Sequence, residues 1–514
     1  MSVLGVDLGT SGCKAIVLAA DGRVLNQCGQ SYAGKIRLGG DCAEIPAEVF
    51  AESLFGMIRR MADSMKTTDP IQAIALSTHG ETLIPVDASG RALCSAILSM
   101  DRRSAGELPR LEREIGAEQF YRITGTPLHS QYPASKILWL KRERPELARK
   151  TARYCTVQDY LHGRLGVTGA VDASLASRFG MLDIKKRAWS EEILNAVGAS
   201  NAQLPQTVCA GTVLGAIPRA LAESLGLEGG VSVVAGGHDQ PCASLALGAQ
   251  RGRITVSAGS YECAAVTTDQ PLNDAEGRRY GLNSYCHVLK DQYITLAFFA
   301  SGLTIQWVID RFCRWECAEA ERRGMDVHEM LEEMSADRPT GICVSPYFYG
   351  SMNPEWNERA RAAIVGLSAA DGVGEVYRAA LEGTACELDL NLRVLEKLSG
   401  RAAEVVMGGG GTNSRRWMQI RADIANRPLD RDCSGTDASC MGAAMLAGLG
   451  IGVFASPEEA FLRRRSFMER IQPRNSADYA RQKAEYRRFH RAELISEITM
   501  GERMKHESLC AHEG

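Results

Sequence analysis

The sequence predicts an α/β protein of two domains that flank a cleft. Three observations predict it. The segment from Val3 to Ser77 reads βββαβ. The strand–glycine turn–strand outline of Val6–Ala15 returns at Val256–Ala265, half a chain later. The chain has 514 residues, enough for roughly two to four domains.

The elements follow in order. Val3–Leu8 is a short apolar, partly β-branched run and reads as a strand. Gly9-Thr10-Ser11-Gly12 is a tight turn with glycine at both ends. Cys13–Leu18 is a second strand, Ala20-Asp21-Gly22 a turn, and a third strand starts near Arg23. From Glu48 to Met65, Val49, Phe50, Leu54, Met57, Ile58 and Met61 recur at helical spacing. Ile71–Ser77 reads as a buried strand. In the second half, Gly252–Ser260 is strand then turn, and Glu262–Thr268 a following strand. Helices are expected at Leu303–Phe312, Val376–Leu398 and Trp417–Ile424, and a strand at Glu404–Met407. The tail from Pro457 is charged and reads as helical to about Ile498, with frayed residues after Thr499. These elements divide the chain into domains 1–248 and 249–480 and a helical tail 481–514.

Composition narrows the function. Hydrophobic residues are 45% and charged residues 24%, the balance of a globular chain. Lys plus Arg number 59 against 62 Asp plus Glu, so no basic excess points to nucleic acid or an anionic membrane. The N-terminus has no basic and apolar leader. The apolar uncharged stretches Ile294–Ile309 and Ser439–Ser456 fall short of the ~20 apolar residues that span a bilayer. The 16 cysteines are scattered without a Cys-x-x-Cys pair, which reads as free thiols in a reducing cytosol. The expectation is a soluble, cytoplasmic protein.

Four constellations can carry chemistry. Asp7 ends a buried strand beside Gly9–Gly12, where backbone N–H groups can cradle a phosphate and the carboxylate can serve a Mg²⁺ ion. An ordinary hairpin with a turn-capping Asp is the alternative, and no Walker A pattern is present. Asp239 in Gly236-Gly237-His238-Asp239-Gln240 follows a strand, where either a general base or the N-cap of the next helix belongs. Gly408-Gly409-Gly410-Gly411-Thr412-Asn413 joins strand to helix, and four consecutive glycines suit a close backbone approach to a nucleotide, with a flexible linker as the alternative. Ser77-Thr78-His79-Gly80-Glu81 and Met100-Asp101-Arg102 follow strand-like runs and could hydrogen-bond a polyhydroxylated ligand, although a lone His79 or Asp101 is otherwise more often a satisfied loop residue.

Taken together, these segments resemble the FGGY carbohydrate kinase family of the actin-like ATPase superfamily, over nearly the whole chain. Val6–Lys14 resembles the first phosphate hairpin, Gly236–Asp239 the catalytic segment, and Gly408–Asn413 with Trp417 and Gln419 the adenosine motif. Ala438–Ala444, Asp159-Tyr160-Leu161 with Asp172 and Ser174, and Tyr347–Ser351 through Trp356 and Gly366-Leu367 resemble further family segments. The resemblance implies two actin-like (ribonuclease H-like) domains about an inter-domain catalytic cleft. It implies ATP and Mg²⁺ as cofactors and a small sugar or polyol as acceptor, with a homodimer a family-level expectation. Asp239 is then the general base and Asp7 the metal residue. Gly9, Thr10, Ser11, Gly12, Lys14, Gly259, Ser260, Gly409, Gly410, Gly411 and Asn413 bind the nucleotide. His79, Gly80, Glu81, Asp101, Arg102, Asp239 and Gln240 face the acceptor.

Two departures stand out. The second phosphate hairpin, usually Gly-Thr-Ser, reads Ala258-Gly259-Ser260. The Gln-Met-His-Gly run of xylulose kinases reads Ser77-Thr78-His79-Gly80-Glu81, so xylulose itself is not implied. A xylulokinase, an actin-like ATPase without sugar kinase activity and a non-catalytic binding protein remain the alternatives.

Overall fold

The computed structural model describes residues 1–32, 34–65 and 69–491. The first domain opens with β1 (Ser2–Leu8), β2 (Gly12–Ala19) and β3 (Val24–Ser31), then α1 (Glu48–Met65) and β4 (Ile71–Thr78). It closes with β5 (Val213–Ala216), β6 (Ser232–His238) and α2 (Asp239–Ala246). The sheet order is β5-β6-β4-β1-β2-β3. The apolar stripe predicted on α1 is buried, including Phe50, Leu54, Met57 and Ile58. Between β4 and β5 run short helices and two-stranded pieces that carry the acceptor-side residues described below.

The second domain holds β7 (Arg253–Ala258), β8 (Tyr261–Thr268), β9 (Asn283–Cys286) and β10 (Tyr293–Ala300). After α3 (Val373–Ser399) come β11 (Glu404–Gly408), α4 (Arg415–Ala425), β12 (Leu429–Asp432), α5 (Ala438–Gly450), β13 (Met468–Ile471) and α6 (Ser476–Arg491). Its sheet order is β9-β10-β8-β7-β11-β12-β13.

The repeat expected from the glycine turns is present in the topology. β3-β2-β1-β4-β6 pairs antiparallel, antiparallel, parallel, parallel. β10-β8-β7-β11-β12 pairs in the same sequence of senses. The two hairpins Gly9–Gly12 and Gly259-Ser260 therefore occupy equivalent places in the two sheets.

Three features differ from the sequence expectation. The charged tail contains a strand, β13, paired antiparallel with β12. Its Met-Glu-Arg-Ile run hides among charges because it forms the edge of the sheet, where charged side chains face water. The boundary at 480 cuts α6, whose Tyr479 and Tyr486 are buried with Tyr377 and Trp417 in one core. Residues 492–514, the rest of the expected tail, lie outside the described residues.

The third difference concerns α5. Although it lies between β12 and β13 of the second sheet in sequence, it packs on the first: Cys440, Ala443, Ala444 and Ala447 share a core with Val3, Ile16, Ala73 and Val234. A helix apolar on every side must be covered on every side. Small residues allow the crossing. A Cβ on Gly442 would sit 1.9 Å from the Cys242 carbonyl oxygen of α2.

Candidate active site

Parallel pairing aligns the carboxyl ends of β1, β4 and β6, where open α/β sheets bind ligands. Asp7 is level with Ser77, and Ser77 with Gly237. The register of β6 shifts between Val234 and Gly237, and such a shift re-aims the residues after it. The His238 N–H donates to Ser174 Oγ (3.0 Å), and Ser174 is held by Asp172, which caps the short helix Ala173–Ala176. That is the role of the Asp172 and Ser174 pattern noticed in the sequence. Asp159 likewise forms a capping box with Thr156.

α2 begins at Asp239 and its N-cap position is His238, so Asp239 stands in the first turn and is not the cap. Its Oδ1 accepts the Gln240 N–H (2.6 Å) and lies 3.1 Å from His238 Nε2. His238 Nδ1 is 2.8 Å from the Tyr285 hydroxyl. Burial, aided by the Arg178 charge, lowers His238 to about 3, so the ring is neutral. A neutral ring that accepts the Tyr285 proton at Nδ1 presents Nε2–H to Asp239. Burial first, then the Glu81 charge, raises Asp239 to about 7. Burial also raises Asp7 well above the usual carboxylate range, reinforced by Asp437 and Asp239 and opposed by a 2.7 Å hydrogen bond from Ser77. Asp7, Asp239 and Asp437 thus form one mutually repelling group at the floor of the cleft.

Near Asp239, Glu81 and Arg178 make a buried ion pair, with Arg178 Nε 2.8 Å from Glu81 Oε1. The Arg178 guanidinium lies between the rings of Tyr132 and Tyr285, at 5.2 and 4.8 Å. Its charge holds Glu81 at about 2 against the opposing effect of burial. Lys136 Nζ donates to the carbonyls of Glu81 (2.8 Å) and Leu98 (2.7 Å) and fixes the loop. Gly80 passes close against the Arg178 side chain. Arg102 is exposed.

A cavity of about 520 Å³ lies between the domains. Lys14, Gly259, Gly409, Gly410 and Asn413 line it, with Gln27, Thr436 and Asp437. Gly409 has φ +100° and its Cβ would fall 2.6 Å from the Ala258 carbonyl oxygen, so no other residue fits there. The first hairpin closes with Gly9 N–H to Gly12 O (2.9 Å), carrying Thr10 and Ser11 at its tip. Lys14 Nζ reaches across the cleft to Asp437 Oδ2 at 2.8 Å.

Two expected acceptor contacts are corrected. Both ring nitrogens of His79 are taken, by the Leu8 carbonyl (2.8 Å) and Thr82 Oγ1 (2.6 Å). His79 ties the acceptor loop to the end of β1 and has no nitrogen to offer a hydroxyl. Asp101 is fully buried, accepting the Ala43 N–H (2.7 Å) and pairing with Arg103. Sequence reasoning missed Arg178, Tyr285 and Asp437. Of these, Asp437 alone carried a local signal, as an N-cap residue before an apolar helix.

Two family models cover the chain: the FGGY family of carbohydrate kinases, N-terminal domain, over residues 2–246, and its C-terminal domain over residues 254–451. The chain is 29% identical over 453 residues to a gluconokinase of Bacillus licheniformis, covering 86% of each protein. It is 29% identical over 466 residues to an autoinducer-2 kinase of Klebsiella pneumoniae, covering 88% of this chain and 86% of that one. The solved xylulose kinase of Rhodospirillum rubrum superposes with a TM-score of 0.82 at 23% identity, covering 95% of this chain and 98% of that one. With both models matched in order about the cleft, the chain belongs to the FGGY family of carbohydrate kinases.

Proposed function

We propose that Asp239 is the general base of an ATP-dependent phosphorylation of one hydroxyl on a small sugar, polyol or sugar acid. The observation that carries this is the Asp239 carboxyl itself. It begins α2 at the carboxyl end of β6, close enough to Glu81 and Arg178 to feel both charges, with its pKa raised to about 7. A carboxyl near neutrality takes a proton at working pH and is still partly ionised. Phosphoryl transfer is dominated by positioning and by charge neutralisation, so this chain's work is largely to orient the two substrates.

The first hairpin, with Lys14, and the second, with Gly259-Ser260, approach the phosphates from opposite domains. Gly409–Asn413 seats the adenosine side. Glu81 and Arg178 contact acceptor hydroxyls, one as acceptor and one as donor, with Arg102 at the exposed edge. Among the described residues no three ligating side chains close around one point. Such a donor set suits a Mg²⁺ ion that keeps waters and phosphate oxygens in its shell, with Asp7 and Asp239 as its protein neighbours. When bound, that ion neutralises charge on the transferred phosphate. Beside such an ion Asp7, Asp239 and Asp437 would repel one another less.

The test is ADP release with Mg-ATP against gluconate, xylulose, fuculose, other ketoses and polyols, with Asp239→Asn as control. Release that requires one acceptor class and disappears in the variant supports the reading. Turnover that ignores every acceptor, or that survives Asp239→Asn, overturns it.

A further inference from the structure

A second buried charge pair stands apart from the acceptor site. Arg421 on α4 and Glu262 on β8 are fully enclosed, with Nη2 and Oε2 2.5 Å apart. Burying two charges is costly unless each is well partnered, and such a pair is weak evidence for stability alone. Arg421 Nε and Glu262 Oε1 have no hydrogen-bond partner among the described residues, so the pair is not optimised as a core contact.

Its remaining bonds run to the walls of the nucleotide cavity. Arg421 Nη1 donates to the Gly411 carbonyl at 2.8 Å, at the glycine loop. Its guanidinium stacks on Trp417 at 3.9 Å. Ser301 Oγ donates to Glu262 Oε2 at 3.0 Å. The backbone N–H groups of Ser301 and Gly302 then hold the carbonyls of Ser260 and Gly259 at 3.2 and 3.1 Å.

We infer that Arg421, Glu262 and Ser301 are positioning residues that set the distance between the glycine loop and the second phosphate hairpin, and so the affinity for the nucleotide. This rests on the nucleotide reading of that cavity and not on the identity of the acceptor. A glycine loop has no side chains of its own to hold it in register. The pair supplies a fixed anchor on its outer side, away from the ligand.

The test uses the full chain with both residues replaced, Glu262→Met and Arg421→Met. An apolar pair of similar volume keeps the core filled and removes the uncompensated charges. Calorimetry with Mg-ADP should show binding at least tenfold weaker, with thermal stability retained. In turnover, the KM for ATP should rise at least tenfold, while kcat and the acceptor KM stay within twofold. Mg-ADP affinity within twofold of the parent in a stable double variant overturns the inference. If that variant does not fold, Glu262→Gln gives the same reading: about threefold weaker Mg-ADP binding supports it and unchanged binding overturns it. If the parent binds Mg-ADP but phosphorylates no acceptor, the kinase reading fails while the calorimetric comparison still decides the pair.

Discussion

Lys14 and Asp437 lie 423 positions apart in the chain, yet their charged groups are 2.8 Å apart across the cleft. One belongs to β2, beside the first phosphate hairpin, and the other caps α5. Both residues line the cavity of about 520 Å³ between the domains. On the proposed nucleotide reading of that cavity, a bound phosphate chain would compete with Asp437 for the Lys14 ammonium.

Lys14→Met is therefore expected to raise the KM for ATP about tenfold or more. It should leave stability nearly unchanged, because Lys14 is exposed and such pairs contribute about 0–1 kcal/mol. Steady-state kinetics and thermal melting check both halves. An unchanged KM would show that Lys14 serves only Asp437.

The pH dependence of turnover follows from Asp239. With its pKa near 7, kcat/KM should rise with pH along a limb centred near that value and level above it. Asp239→Asn should lower kcat by orders of magnitude at every pH. A flat profile from pH 5 to 8 in the parent enzyme would count against the base.

The same group predicts a stability effect of opposite appearance. The unfolded carboxyl titrates at its ordinary value of 3.8 and the folded one near 7. Between those values the folded state holds more protons, so stability falls as pH rises, by about 1.4 kcal/mol per unit at most. Asp239→Asn removes that loss. Its melting temperature should exceed the parent's by a margin that grows from pH 4 to 7 and is constant above. Melts at several pH values without Mg²⁺ would show it.

Glu81 and Arg178 behave in the reverse sense. Glu81 is held at about 2 against an ordinary 4.5, so its contribution is full above pH 4.5 and is lost as pH falls toward 2. Removing one partner leaves a buried charge alone, so Arg178→Leu should cost about 3–5 kcal/mol. Denaturant titration at pH 7 measures this. Glu81→Gln, isosteric and able to accept a hydrogen bond, should retain the fold and raise the acceptor KM.

The parts legible in sequence were those with local causes. The two glycine hairpins, α1, the strand at Ile71 and the glycine loop announce themselves within a few residues by turn chemistry or periodicity. The place of Asp239 at a strand's end was legible because it comes after an apolar strand, two glycines and His238. Arg178 was not. It sits among apolar neighbours with no motif of its own, and only the fold brings it to Glu81, 97 positions earlier. The Arg421–Glu262 pair spans 159 positions and is equally silent locally. His79 and Asp101 misled for the complementary reason. A polar residue at a strand end reads the same whether it faces a ligand or satisfies the backbone beside it.

The placement of α5 on the first sheet bears on how this protein can be cut. A fragment ending at 248 would contain every strand of the first sheet and still lack the helix that covers Val3, Ile16, Ala73 and Val234. That fragment would expose an apolar trough and associate with itself or with chaperones. Supplied separately, residues 249–491 would carry the missing cover, so the two pieces should reassemble on mixing. The two lobes are topologically repeated units, but they are not separable modules.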